Sequence, residues 1–146
     1  MNPPSRIVVG VDGSPAAKAA LAWSVQEARR TNASVLALSV CQLSQSSGVH
    51  RHELAAAVDA LGTTADGVRI DQDVPYGQPG PTLVALSADA DLLVVGDHGY
   101  HKAGVLVMSS VTTYCLRNAR CPVVAVPLEG ARHDGPLMLR PEAPVR

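Results

Sequence analysis

Phenylalanine is absent from this chain of 146 residues, and Trp23, Tyr76, Tyr100 and Tyr114 make up the whole aromatic complement of 3%. An aromatic platform for stacking single-stranded nucleic acid is excluded by that inventory, and the core has to be built from Ala, Val and Leu. Cysteine is equally sparse. Cys41, Cys115 and Cys121 are an odd number without CxxC spacing, so the disulfide framework of a small secreted domain is missing and a reducing cytoplasm is expected. No stretch approaches the roughly 20 apolar residues of a membrane span, and the first residues lack the basic start and apolar run of a signal peptide. Charge of one sign is lacking too. Twelve Lys and Arg against 13 Asp and Glu leave a net charge of -1, and no Lys/Arg run is present, so binding of nucleic acid through bulk positive charge is not expected. A local basic patch stays open. With 47% hydrophobic and 17% charged residues, the chain is expected to fold as one domain, long enough to bury a core without covalent staples.

What is present is an alternation of apolar runs and amphipathic stretches. Ile7 to Val11 is a short β-branched run closed by Asp-Gly-Ser-Pro and reads as a strand. Ser14 offers an N-cap oxygen and Pro15 suits the first helical position. Residues 15–30 then place Ala17, Leu21, Val25 and Ala28 on one helical face. Arg29 and Arg30 fall in the last turn, where they complement the dipole, and Thr31-Asn32 closes the helix. Ser34 to Val40 is a second strand. A polar stretch, Gln42 to Gly48, leads to a helix near 51–62 with Leu54, Val58 and Leu61 on its apolar face. Residues 68–74 are a third strand, Pro75 to Pro81 a turn, and a helix with Leu83, Leu86 and Ala90 follows. Leu92 to Val95 is a fourth strand ending in Gly96. Residues 97–108 read as a loop, Ser109 or Ser110 caps a helix to about Asn118, and Val123 to Val126 is a fifth strand. Residues 1–127 thus form the predicted domain. Residues 128–146 are polar and proline-rich and form a tail without a core-building pattern.

Strands alternating with helices give parallel βαβ units with right-handed crossovers, hence an α/β fold with an open parallel sheet and helices on both faces. The first, second and fourth strands are continuously apolar, as strands covered on both faces are. The third, Val-Arg-Ile-Asp-Gln-Asp-Val, alternates and carries charge, which suits an edge. The fifth, Val-Val-Ala-Val, is short, apolar and uncharged. As the other edge it calls for a cover, and a second copy of the same strand paired antiparallel is the expected one, with the tail or a helix as the alternative.

Open α/β sheets bind ligands beyond the carboxyl ends of the strands, where the strand order reverses. Two glycine-bearing loops leave strand ends here, Gly10-Val11-Asp12-Gly13-Ser14 and Gly96-Asp97-His98-Gly99. If their strands are neighbours, both loops line one crevice. The second loop runs on to a helix start at Ser109-Ser110, whose N–H groups and dipole favour an anion, and glycines let phosphate oxygens approach the backbone. The chemistry on offer is phosphate cradling and nucleotide binding, and no nucleophile–base pair is spelled out. His98, His101 and Asp97 are closely spaced and lack a fourth ligand, so a solvated loop is expected there rather than a metal centre. GVDGSPAAK lacks the Gly-Lys-Ser/Thr order of a P-loop. Cys115 and Cys121 are expected to pack as small buried hydrophobes, and Trp23 to pack rather than bind.

GVDGSPAAKAAL at the front and DLLVVGDHG…SSVTTYCLRNARCPVVAVP at the back resemble the universal stress protein family over residues 5–127. The resemblance implies a five-stranded parallel sheet of order 3-2-1-4-5, a dimer formed through the fifth strand (Val123 to Val126) and a binding site between the first and fourth strands. ATP-binding members of that family share a motif of Gly, two residues, Gly, nine residues, then Gly and Ser/Thr. Gly96, Gly99 and Ser110 match it, with Ser109 in place of the penultimate glycine. The resemblance further implies that Asp12 contacts the adenosine beside Gly10 and Val11. It implies that the main chain at Val40 holds the adenine edge, and that Gly96, Gly99, Ser109 and Ser110 face ribose and phosphates.

If position 109 needs a positive φ, its Cβ costs roughly 1–2 kcal/mol. If it is an ordinary helix N-terminal position, serine is a good cap whose hydroxyl can donate to phosphate. A carboxylate at Asp97 repels polyphosphate unless a cation intervenes, and His98, His101 and Lys102 are close enough in sequence to offset it. The expected function is an ATP-binding, ligand-responsive regulatory dimer, with Mg²⁺ accompanying the nucleotide. In it, binding orders residues 97–108 and changes the surface shown to a protein partner not yet identified. The alternatives are a dimeric scaffold without nucleotide and a slow ATPase, for which only Asp97 or His98 stands as a candidate base.

Overall fold

The computed structural model describes residues 4–97, 100–102 and 105–128. The predicted tail, residues 128–146, lies outside them except for Leu128. Strand β1 (Arg6–Gly10) leads into helix α1 (Pro15–Thr31), and β2 (Ser34–Leu38) into α2 (Ser47–Asp59) and a 3₁₀ turn over Gly62–Ala65. Strand β3 (Ile70–Asp73), α3 (Pro79–Leu86) and β4 (Leu92–Asp97) follow. Two short strands, β5 (Tyr100–Lys102) and β6 (Val105–Val107), precede α4 (Ser110–Asn118) and β7 (Val123–Pro127). The five long strands form one parallel sheet of order β3-β2-β1-β4-β7. In order of these five strands this is the expected 3-2-1-4-5, with the charged strand at one edge and the short apolar strand at the other.

The ends of α1 show why the sequence was readable there. Ser14 is extended, its side chain accepts the Ala17 N–H at 3.1 Å, and Pro15 fills the first helical position. Asn32 closes the helix with a left-handed φ of 57°, a conformation asparagine tolerates better than most residues. Arg29 donates to the carbonyls of Thr64 and Asp66, binding the end of α1 to the segment that enters β3.

Side-chain alternation along the strands divides the core in two. Ile7, Val9, Val35, Ala37 and Val94 point to one face, where α1 and α2 cover them. Val8, Leu38, Leu93 and Val95 point to the other, against α3 and α4. Burying each such Val or Leu contributes roughly 1.5–3 kcal/mol, so this pattern fixes the register of the sheet. Trp23 packs partly buried against the first cluster.

Several boundaries differ from expectation. Helix α2 starts at Ser47 rather than near residue 51, because Ser46 in the polar stretch caps it. Helix α3 starts inside the expected turn, since Pro79 and Pro81 fall in a first turn that needs no intrahelical N–H. Leu86, expected on its apolar face, is 39% exposed. The expected loop 97–108 contains the antiparallel pair β5–β6, and Asp97 closes β4 instead of starting the loop.

Candidate functional site

A hollow of about 270 Å³ opens where the sheet order reverses, at the carboxyl ends of β1 and β4. Gly10, Val11 and Asp12 form one wall, and Gly96 and Ser109 another. Val40 stands beside the first wall, and Leu38, Leu83, Val95 and Val111 make the interior apolar. Six of the eight sequence-predicted positions therefore line one space: Gly10, Val11, Asp12, Val40, Gly96 and Ser109. Ser110 does not line it and is exposed as the first residue of α4. Gly99 lies outside the described residues.

Each wall has a local cause. After Gly10 the chain turns sharply: Asp12 Oδ1 accepts the Ser14 N–H at 3.0 Å, and Gly13 takes a φ of +85°. Gly10 faces α3, where an added Cβ would stand 3.0 Å from Leu83 Cδ1, so its missing side chain leaves part of the hollow open. Gly96 faces the other way. A Cβ there would meet the Ala16 carbonyl carbon at 2.4 Å and the Ala17 nitrogen at 2.6 Å, so this glycine admits the start of α1 against β4.

Val40 is placed by hydrogen-bond alternation. Ser39 and Cys41 donate their N–H groups to the carbonyls of Asp73 and Pro75 on the β3 side, while the Leu38 carbonyl accepts the Val11 N–H on the β1 side at 2.7 Å. By that alternation the Val40 peptide groups turn towards β1, at the level where β1 has given way to the Asp12–Ser14 turn.

Ser109 has a φ of -64° and a ψ of 157°, extended backbone that any residue adopts. The positive-φ alternative is thereby removed. Ser109 Oγ accepts the Thr112 N–H at 3.2 Å and donates to Thr112 Oγ1 at 2.9 Å. Asp97 is 2% exposed and its Oδ1 accepts the Ser109 N–H at 3.3 Å. The carboxylate thus sits behind the α4 wall of the hollow. Among the described residues no cluster of His, Cys, Asp and Glu is arranged to hold a metal ion.

A model of the universal stress protein family matches residues 4–127. The chain belongs to that family. Universal stress protein Rv2624c of Mycobacterium tuberculosis is 33% identical to it over 131 residues, which cover 82% of this chain and 47% of that protein. The chain spans about half the length of the curated relatives it matches. The solved structure of UspA from Lactobacillus plantarum is 28% identical, with a TM-score of 0.65 over 86% of this chain and 99% of its own. A universal stress protein family protein from Arabidopsis thaliana, solved with AMP bound, has the same fold at 23% identity, with a TM-score of 0.61 over 85% of this chain and 92% of its own.

The resemblance to universal stress proteins pointed to the polar rim of the hollow and missed its apolar lining. Leu38, Leu83, Val95 and Val111 read in sequence only as strand and helix core positions. A second cluster was also missed. Ser39, buried at the end of β2, has its Oγ 2.7 Å from His50 Nδ1, and His50 Nε2 lies 3.1 Å from Gln45 Oε1. Since that amide oxygen also accepts the Gln42 N–H at 2.9 Å, Nε2 is the donor and, in the neutral ring, Nδ1 accepts the Ser39 hydroxyl. The two residues are eleven positions apart, and nothing in their spacing announces the contact. The tight turn Asp12–Ser14 and the cap Ser109 were, by contrast, written in the residue types themselves.

Proposed function

We propose that this universal stress protein domain binds an adenine nucleotide in the hollow between β1 and β4, ATP being the one the resemblance implies, and acts as a ligand-responsive regulatory dimer. The observation that carries the reading is the convergence of Gly10, Val11, Asp12, Val40, Gly96 and Ser109 on one space at the switch point of the sheet. The apolar interior suits a purine ring, and the main chain of Val40 offers an N–H and a carbonyl to its edge. Asp12 offers a carboxylate to ribose hydroxyls. Gly96, Gly99, Ser109 and Ser110 belong to the phosphate end. The AMP-bound Arabidopsis structure supports an adenine nucleotide as the class of ligand. A divalent cation such as Mg²⁺ enters, on this reading, as the nucleotide's own counter-ion.

The test is mass spectrometry of the protein as purified, under native conditions, followed by isothermal titration with AMP and ATP. One adenine nucleotide per chain is expected, with affinity falling at least tenfold in Asp12→Ala. A chain that carries none and gives no heat with either nucleotide removes the reading and leaves a scaffold. The dimer is proposed to form by antiparallel pairing of β7 with its copy, and the rim carried by residues 97–108 is proposed to show a partner protein whether the hollow is filled. The free cysteines suit a reducing compartment such as the cytoplasm.

A further inference from the structure

We propose that His50 is a positioning residue for the base end of this hollow: through Ser39 it holds the Val40 main chain in the orientation that accepts adenine and rejects hypoxanthine. The proposal rests on the adenine-nucleotide reading above and adds to it what makes the base end selective. The last ladder pair between β1 and β2 is Gly10↔Leu38, so Val40 stands beyond the end of β1, at the rim of the hollow. Its neighbours in the chain are fastened on two sides. In the plane of the sheet, Ser39 and Cys41 donate their N–H groups to the carbonyls of Asp73 and Pro75 at 3.1 and 2.8 Å, and the Cys41 carbonyl accepts the Gly77 N–H at 3.0 Å. Out of that plane, where strand side chains point, Ser39 Oγ donates to His50 Nδ1 at 2.7 Å. In-plane bonds alone set the distance of the segment from β3. The bond to His50 adds the second direction and sets its tilt.

His50 is itself held. Its N–H donates to the Ser46 carbonyl at 3.3 Å in the first turn of α2. Its Nε2 donates to Gln45 Oε1 at 3.1 Å, an oxygen that also accepts the Gln42 N–H at 2.9 Å. Gln45 thus ties the ring to the chain that leaves β2 and keeps Nδ1 as the acceptor. Ser39 is 3% exposed, which leaves water little room to take the place of His50. Tilt matters because hydrogen bonds weaken steeply as they leave linearity. The edge of adenine carries an amino donor at C6 beside the N1 acceptor, which complements a carbonyl beside an N–H. Hypoxanthine carries an oxygen at C6 beside a protonated N1, the reverse order. It sets acceptor against carbonyl and donor against N–H, leaving both main-chain groups unpaired. A held peptide rewards the first pattern and rejects the second, whereas a peptide free to tilt pairs poorly with either.

The experiment is isothermal titration of AMP and of inosine monophosphate, which share ribose and phosphate and differ only in the base, into the wild-type chain and His50→Ala. Wild type is expected to bind AMP at least about thirtyfold more tightly than inosine monophosphate. His50→Ala is expected to cut that ratio at least about fivefold, by weakening AMP while leaving inosine monophosphate within about twofold. The ratio separates positioning from a merely structural role, because a smaller folded fraction weakens both ligands by the same factor. Should His50→Ala fail to fold, Ser39→Ala is titrated in its place. It removes the hydroxyl that the ring holds and keeps the ring, and the same contraction is expected. Equal weakening of both ligands, or a ratio unchanged in the variant, overturns the proposal and leaves the adenine-nucleotide reading standing. Equal binding of the two ligands by wild type overturns it as well, since the Val40 edge then does not read the base. If AMP gives no heat with wild type, the adenine-nucleotide reading has failed and the proposal falls with it.

Discussion

Gly96 has a reason to be glycine before any ligand arrives. A Cβ at this position would overlap the backbone of Ala16 and Ala17, and backbone cannot swing aside as a flexible side chain does. Overpacking of this kind costs typically 1–3 kcal/mol, so Gly96→Ala is expected to lower unfolding free energy by at least that much in urea, whether or not nucleotide is present. Ser109 invites the opposite reading. Its φ is ordinary and its hydroxyl caps α4, so restoring the glycine of the family motif gains no relief of strain. Ser109→Ala is expected to cost about 1 kcal/mol and Ser109→Gly only a few tenths, read from the same denaturation curves. A third residue sets an alkaline limit. Burial, helped by the nearby Cys121, pushes the Cys115 thiol up to about 11, whereas an unfolded thiol titrates near 8.5. Between those values the unfolded chain releases a proton that the native chain holds, so this contribution is complete below about pH 8.5 and is lost as pH rises towards 11. Stability of Cys115→Ala is expected to fall less than that of wild type between pH 8 and 10.5, measured as the urea midpoint. Equal slopes would assign the alkaline loss to other groups.

At the scale of elements, legibility followed local chemistry. Helix α1 was readable at both ends because a serine cap, a proline and a left-handed asparagine act within a few residues of themselves. Helix α2 was misplaced because its cap, Ser46, is one of several similar polar residues, and only tertiary packing of Leu54 and Ala57 selects the frame. The β5–β6 pair was unreadable because three-residue strands fall below the length at which alternation is distinguishable from loop. The outline of the site was legible in its turn and cap residues, while its apolar lining was not, since a valine facing a hollow and a valine facing a helix look alike. The junction of β2 and α2 belongs to this hidden class. The Ser39 hydroxyl, nearly buried, is held by the His50 ring, which Gln45 orients. His50→Ala leaves that hydroxyl without this partner, and the expected loss is about 1–3 kcal/mol. Hydrogen exchange should show the loss concentrated in the first turns of α2. A loss below 0.5 kcal/mol would mean that water or a neighbouring group satisfies Ser39 instead.

For the molecule as a whole, the two edges of the sheet are unlike. At β3 the side chains of Asp71, Gln72 and Asp73 are exposed and discourage pairing. At β7 every residue is half-buried, the sequence is Val-Val-Ala-Val-Pro, and β4 is the one strand beside it among the described residues. The ladder shows which of its peptide groups face outward. Leu93 donates to the Pro122 carbonyl in the register Leu93↔Val123, so in a parallel ladder the peptide groups of Pro122, Val124 and Val126 turn to β4, and those of Val123, Ala125 and Pro127 turn away. Pro127 has no N–H to give, which leaves the N–H groups of Val123 and Ala125 as outward donors. Proline is tolerated on an edge strand where the missing N–H would face outward. Ala125→Pro is therefore expected to leave the β4–β7 ladder and the fold intact while removing a central donor of the proposed pairing between copies. Light scattering after size exclusion should report a dimer for wild type and a monomer for Ala125→Pro, with unchanged far-ultraviolet circular dichroism. Val124→Pro, whose N–H turns to β4, should instead lower stability, which separates loss of pairing from loss of fold. A dimer that survives Ala125→Pro would place the interface elsewhere, and the exposed Tyr114 and Leu116 of α4 would be the next surface to substitute.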